Sequence, residues 1–169
     1  MADFRIGHGY DVHALADGLP MWLGGVHIDS VAGFVAHSDG DVAIHALCDA
    51  LLGALALGDI GKHFPDNSDQ WKGIDSKLLL AQVVKMMDER LWAVGNVDVT
   101  IALETPKLSP YIMEMRRTLA KILNVDINCV SVKATTTERL GFVGKGEGCE
   151  VWASALLVRK RSKFLTFWK

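Results

Sequence analysis

The 169 residues include only three cysteines, Cys48, Cys129 and Cys149, an odd number with no C-x-x-C pair among them. That spacing argues against a disulfide framework or a paired-cysteine zinc module, and it reads as reduced, buried thiols in a cytoplasmic protein. No apolar run reaches membrane-spanning length, and Asp3 and Arg5 place charge close to the N-terminus. Neither a span nor a signal or transit peptide is expected. No internal repeat or low-complexity linker divides the chain. Its length suits one compact domain, read here as residues 1–158, with a basic, flexible tail over 159–169.

Positive charge is scarce outside that tail. The closing stretch "RKRSKFLTFWK" holds five basic groups and no acid; taking these from 18 basic and 20 acidic groups leaves 13 against 20, a net −7 for residues 1–158. A body this acidic is a poor nucleic-acid binder. To handle phosphates it needs metal ions or local backbone donors that offset the repulsion. The tail reads as solvated, with Phe164, Phe167 and Trp168 leaving a weak membrane-surface contact as the alternative.

Half of the residues are hydrophobic, and their patterning predicts the elements. "DFRIGHGYDVHAL" reads as a strand, and "MWLGGVHI" as a hairpin turning at Gly24 and Gly25. "SDGDVAIHALCDALLGALALGDIG" reads as a helix capped by Ser38 or Asp39, with Gly58 or Gly61 beyond its end. Apolar residues surround this helix, so subunit contacts are expected to cover part of it. A second helix is expected from about Ser76 to Trp92 and a third from Pro110 to about Leu123. Strands follow in "GNVDVTIALE", "NCVSVKATT" and "CEVWASALLVRK". The fold class is α/β, an α+β sandwich with helices over one face of a mixed sheet.

Within these elements, Asp11 and His13 are two apart on a strand and therefore project to one face. His45 sits among alanines and leucines, where an imidazole is costly unless its nitrogens are paired. It reads either as a satisfied core histidine or, with Asp11 and His13, as the third member of a catalytic zinc set that keeps one position open. "VAHSDGD" offers His37, Ser38 and helix-terminal amides to phosphate oxygens, or simply a cap. "LGDIGKHFPD", with Asp59 and Asp66, reads as a C-cap and turn. "KATTTERLGFVGKGEG" places three threonines, Glu138 and four glycines after a strand, either a phosphate cradle with a hard-cation ligand or a glycine-rich hairpin.

The blocks "GHGYDVH", "AHSDGDVAIHALCDALLGALALGDIGKHFPD", "GNVDVTI" and "VKATTTERLGF" resemble the signature segments of the 2-C-methyl-D-erythritol 2,4-cyclodiphosphate synthase family, from about Arg5 to Val158. The resemblance implies that Asp11, His13 and His45 bind Zn2+, one per chain. It also implies that Glu138 holds a second divalent ion, Mg2+ or Mn2+, with the substrate diphosphate. His37 and Ser38 are then phosphate contacts, with His37 and Thr136 steadying the transition state. Asp59 and Gly61 match ribose contacts, and Phe64, Pro65, Asp66, Asn67 and Ser68 the loop over the erythritol part. Leu103, Lys107, Leu108, Thr135 and Thr136 match the cytosine pocket, and Thr137, Phe142 and Lys145 further substrate contacts.

The implied reaction is a lyase step of non-mevalonate isoprenoid synthesis. The 2-phosphate of 4-diphosphocytidyl-2-C-methyl-D-erythritol 2-phosphate attacks the β-phosphorus, releasing CMP and the cyclic diphosphate. The implied assembly is a cyclic homotrimer with sites between subunits and an axial cavity for an isoprenoid diphosphate. Three positions depart from the pattern: Lys145 stands where arginine is frequent, Trp152 lines the axis, and Glu104 adds an acid near the cytosine pocket. The rival readings are a zinc phosphohydrolase and a non-catalytic nucleotide-binding trimer.

Overall fold

The computed structural model describes residues 3–65, 71 and 73–160. Strand β1 (Phe4–Asp17) leads into a short hairpin, β2 (Met21–Leu23) and β3 (Val26–Ile28), and then β4 (Ala32–Phe34). Gly24 and Gly25 turn the hairpin with φ of 57° and 77°, the two positive values that a tight two-residue loop demands. Helices α1 (Val42–Ala54), α2 (Ile60–His63) and α3 (Ser76–Glu89) precede β5 (Trp92–Ala102). Then come α4 (Ile112–Leu123), β6 (Val130–Thr135), the single turn α5 (Gly141–Gly144) and β7 (Gly148–Arg159). The main sheet runs in the order β4-β1-β7-β5-β6. It is antiparallel except for the parallel pair of β5 and β6.

Helix α1 lies over β1 and β7, α3 over β5 and α4 over β6, all on one face. The approach of α1 is unusually close, and the sequence explains it. A Cβ built on Gly7 would meet the Ala50 carbonyl oxygen at 1.8 Å, and one on Gly9 the Ala46 oxygen at 2.0 Å. Beside them in register stand Ala155 and Ala153 of β7, so the floor under the helix is built of small residues. From α1, Ala46, Ala50 and Ala54 repeat at intervals of four and present one alanine stripe. Leu47, Leu51 and Leu52 are fully buried elsewhere around the helix, each contributing about 2 kcal/mol of hydrophobic stabilisation.

Several boundaries differ from the sequence expectation, each for a local reason. The N-cap of α1 is Asp41, not Ser38 or Asp39. The carboxylate of Asp41 is fully buried and accepts the Ile44 N–H at 3.0 Å, the Gly24 N–H at 2.9 Å and the Gly25 N–H at 2.6 Å. One side chain thus starts the helix and pins the hairpin to it. Burial raises its pKa against those three hydrogen bonds. Helix α3 ends at Glu89 rather than Trp92, because Leu91 turns with φ 61° and Trp92 opens β5. The segment after α1 carries the one-turn helix α2, capped by Asp59, in place of a simple loop. The glycine-rich stretch forms α5 rather than a hairpin.

The expectation that neighbours cover α1 is corrected: the helix is enclosed by its own chain. What lies uncovered is the opposite face of the sheet. Ile6 is 73% and Phe4 59% exposed, and Tyr10, Val12 and Val158 share that face. Tyr10 packs on Trp152 at 5.8 Å between ring centroids.

The close contact generates a paired expectation. Gly9→Ala drives a methyl into the α1 backbone and costs about 1–3 kcal/mol in urea denaturation, as overpacking does. Gly53→Ala, whose new Cβ meets only the His8 oxygen at 4.0 Å, stabilises the helix by about 0.4–1 kcal/mol.

Candidate metal centre and adjoining cavities

With Gly9 seated against Ala46, the next two residues on that face of β1 are Asp11 and His13, and the helix residue before Ala46 is His45. The three ligand atoms lie within 4.8 Å of one another. Asp11 Oδ2 is 3.2 Å from His45 Nδ1 and 3.7 Å from His13 Nε2, and the two imidazoles meet edge to face at 5.2 Å. His13 also packs near Phe34, with its Nδ1 buried and without a hydrogen-bond partner among the described residues. Burial lowers the His13 pKa, with Asp11 pulling the other way and His45 adding to the fall. The neutral ring keeps a lone pair available.

A carboxylate and two imidazoles suit a divalent ion of the zinc type. The 3.7 Å gap is too long for a hydrogen bond, and a cation held between the nitrogen and the oxygen satisfies both. The residues present therefore fit a metal.

This cluster opens into a cavity of about 340 Å³ lined also by Ala36, His37, Ser38, Ile60, Gly61, Phe64, Trp71, Ile74 and Leu79. Of the residues singled out from sequence, Asp11, His13, His37, Ser38, His45, Gly61 and Phe64 thus come together. Phe64 is buried edge-on to Trp71 at 5.2 Å. Pro65 is exposed, and Asp66, Asn67 and Ser68 lie outside the described residues. Asp59 is spent as the α2 cap, accepting the Lys62 N–H at 3.0 Å. Loop amides expected for phosphate are also engaged internally, Gly40 N–H by Ser38 Oγ and Asp41 N–H by Asp39.

A second cavity, about 260 Å³, is lined by Leu103, Glu104, Pro106, Lys107, Leu108, Ser109, Ile112, Ala134, Thr135 and Thr136. It gathers all five residues expected around the pyrimidine. The two residues expected to act on the transition state are consequently divided, His37 lining the first cavity and Thr136 the second. Next to it, Glu138 and Arg139 hold φ of 53° and 65°, a left-handed pair that costs non-glycine residues energy. Thr136 Oγ1 donates to Glu138 Oε1 at 3.2 Å and Thr137 Oγ1 to the Leu140 oxygen at 2.7 Å. Phe142 and Lys145 are exposed and line neither cavity.

Sequence reasoning missed three supports. Asp49 accepts the Ile60 N–H at 2.6 Å and so fixes α2 at the cavity rim; burial, first among opposing influences, raises its pKa. Ser76 bonds His45, and Glu104 accepts the Thr137 N–H at 3.4 Å. In the sequence Glu104 stood out as an acid out of place, and Asp49 falls four residues after His45 on the same helix face. Cys48 and Cys149 are buried and held well above ordinary thiol pKa values by that burial, so neither is a nucleophile.

Replacing His45 by alanine removes one of the three groups that could hold a divalent ion and leaves the enclosing helix. Calorimetric titration of the metal-free variant with a divalent ion is expected to show no tight site, against one per chain in the parent, with the far-ultraviolet dichroism unchanged.

Comparison with known proteins places this geometry. The model of the YgbB family matches residues 4–158. A 2-C-methyl-D-erythritol 2,4-cyclodiphosphate synthase of Thioalkalivibrio sulfidiphilus is 59% identical over 157 residues, 93% of this chain and 98% of that one. The solved IspF of Plasmodium falciparum in a CDP complex superposes with a TM-score of 0.83 at 33% identity, covering 95% and 100% of the two chains. The bifunctional IspDF of Campylobacter jejuni reaches a TM-score of 0.89 at 40% identity over 92% of this chain, which spans only 42% of that longer protein. With the match running through every element from β1 into β7, the chain belongs to the YgbB family.

Proposed function

We propose that the protein closes 4-diphosphocytidyl-2-C-methyl-D-erythritol 2-phosphate into 2-C-methyl-D-erythritol 2,4-cyclodiphosphate with release of CMP. The observation that carries this reading is the Asp11, His13 and His45 cluster opening onto His37 and Ser38, in a chain of this family. Intramolecular phosphoryl transfer asks for charge neutralisation and alignment rather than a protein nucleophile. No nucleophilic thiol is offered by the two buried cysteines.

In this reading Asp11, His13 and His45 hold zinc, which when bound polarises a phosphate oxygen as a Lewis acid. His37 and Ser38 orient phosphate oxygens on the metal side. The second cavity takes the cytosine, with Leu103 and Leu108 as apolar walls and Lys107, Thr135 and Thr136 as polar contacts. Glu138 holds the second divalent ion, Mg2+ or Mn2+, and the left-handed backbone at Glu138 and Arg139 presents its carboxylate. Asp59, Gly61 and the loop from Phe64 to Ser68 cover the sugar and erythritol parts, with Thr137, Phe142 and Lys145 at the periphery.

The division of His37 and Thr136 between two cavities supports a site assembled from two chains. The open apolar face of β1 and β7 supports a cyclic homotrimer that buries it. Trp152, on that face, narrows any axial cavity for an isoprenoid diphosphate. No helix among the described residues is long and apolar enough to cross a membrane, and the three free cysteines support a cytoplasmic setting.

Phosphorus NMR of the protein with the diphosphocytidyl substrate, zinc and magnesium is expected to show CMP together with a cyclic diphosphate. Linear phosphates alone would give the site to hydrolysis, and an unchanged substrate spectrum would make it a binding protein. Glu138→Gln is expected to keep its zinc while losing most of its dependence on Mg2+ or Mn2+, read by metal analysis beside a magnesium titration of turnover. Loss of zinc in that variant would merge the two sites into one.

A further inference from the structure

His45 makes contacts on both sides of its ring. Nδ1 faces Asp11 Oδ2 at 3.2 Å, while Nε2 lies 3.0 Å from Ser76 Oγ and 3.2 Å from Ser38 Oγ. Ser76 is fully buried at the first residue of α3. Asp39 clasps it through both carboxylate oxygens: Oδ2 accepts the Ser76 backbone N–H at 2.9 Å and Oδ1 the Ser76 hydroxyl at 2.5 Å. The clasp is itself anchored, since Asp39 N–H donates to the Ile74 oxygen at 3.0 Å and Gly73 N–H to the His37 oxygen at 2.8 Å. The segment before α1 is thereby laced to the segment before α3.

Counting protons along this chain fixes its direction. A carboxylate only accepts, and a serine hydroxyl has a single proton. The Ser76 proton is committed to Asp39, so Ser76 Oγ can meet His45 only as an acceptor. With the hydrogen of the neutral imidazole on Nε2, the Ser76 oxygen is satisfied and the Nδ1 lone pair is aimed at Asp11. Two acceptors 3.2 Å apart with no proton between them form a contact that a cation completes. Ser38 imposes no such choice. Its oxygen accepts the Gly40 N–H at 3.1 Å, and its own proton stays free to rotate.

We infer that Asp39 and Ser76 are positioning residues for the metal centre, a carboxylate–serine–histidine relay that sets the His45 tautomer and fixes Nδ1 as the ligating atom. Neither touches substrate. The inference rests on the metal reading of Asp11, His13 and His45 proposed above, and it extends that reading to the start of α3. Partners of this kind orient metal-bound histidines and raise their basicity, and their loss weakens metal binding about 10- to 100-fold.

The test has two arms. Nitrogen-15 NMR of the metal-free parent is expected to show the neutral His45 ring as the Nε2–H tautomer. Ser76→Ala and Asp39→Asn are expected to show a mixture of tautomers. In competition with a chromophoric chelator, Ser76→Ala is expected to hold zinc about 10- to 100-fold more weakly than the parent. A parent that carries its proton on Nδ1 overturns the relay whether or not the variants fold. Folded variants with parental tautomer and parental affinity overturn it as well. A parent that binds no zinc overturns the metal reading instead, and the tautomer arm still decides the relay.

Discussion

The closest contact between layers, the α1 backbone resting directly on Gly7 and Gly9 of β1, sets the geometry on which the candidate site depends. Any side chain at those positions would collide with the carbonyls of Ala50 and Ala46. Because the helix comes down to the strand itself, His45 reaches the carboxylate of Asp11 with no gap to bridge. A layer at ordinary spacing would leave His45 apart from Asp11 and His13, its ring a polar cost without return. Small residues on β7 and the alanine stripe of α1 serve the same approach. The leucines on the other faces of α1 supply burial that offsets the cost of keeping an acid and two imidazoles together.

The same arrangement explains how an acidic body can receive an anionic substrate. Net charge over residues 1–158 is −7, and the first cavity has two imidazoles and a carboxylate at its base. Cations carried by those groups would reverse the local sign where phosphate must bind. Lys107 contributes a positive group to the second cavity. Among the described residues helices cover only one face of the sheet, and the other presents Phe4, Ile6, Tyr10 and Val12 to solvent. Within one chain His37 lines the first cavity and Thr136 the second.

Much of this was legible in the sequence because the period-two pattern of β1 forces Asp11 and His13 onto one face, and because a histidine inside an alanine-leucine helix is anomalous. The hairpin at Gly24 and Gly25 was equally plain, since few other residues accept its backbone angles. The cap of α1 was misread: Ser38, Asp39 and Asp41 are all competent caps. The choice of Asp41 is made by the hairpin amides, a contact 16 or 17 residues away in sequence. The apolar circumference of α1 suggested a partner chain, yet α2, α3 and the sheet enclose it, while the alternating apolar residues of β1 were the real sign of an uncovered surface. Ser76 carried no signal, because its role comes from Asp39 and His45, both more than 30 residues away. Long-range pairings of that kind leave no periodicity to read.

Anomalous diffraction at the zinc edge, from crystals grown with zinc, tests the central claim most directly. One strong peak per chain is expected at ~2.0–2.2 Å from Asp11 Oδ2, His13 Nε2 and His45 Nδ1, with α1 still seated on Gly7 and Gly9. A peak bound through His45 Nε2, or zinc held elsewhere with the three side chains unligated, would contradict it.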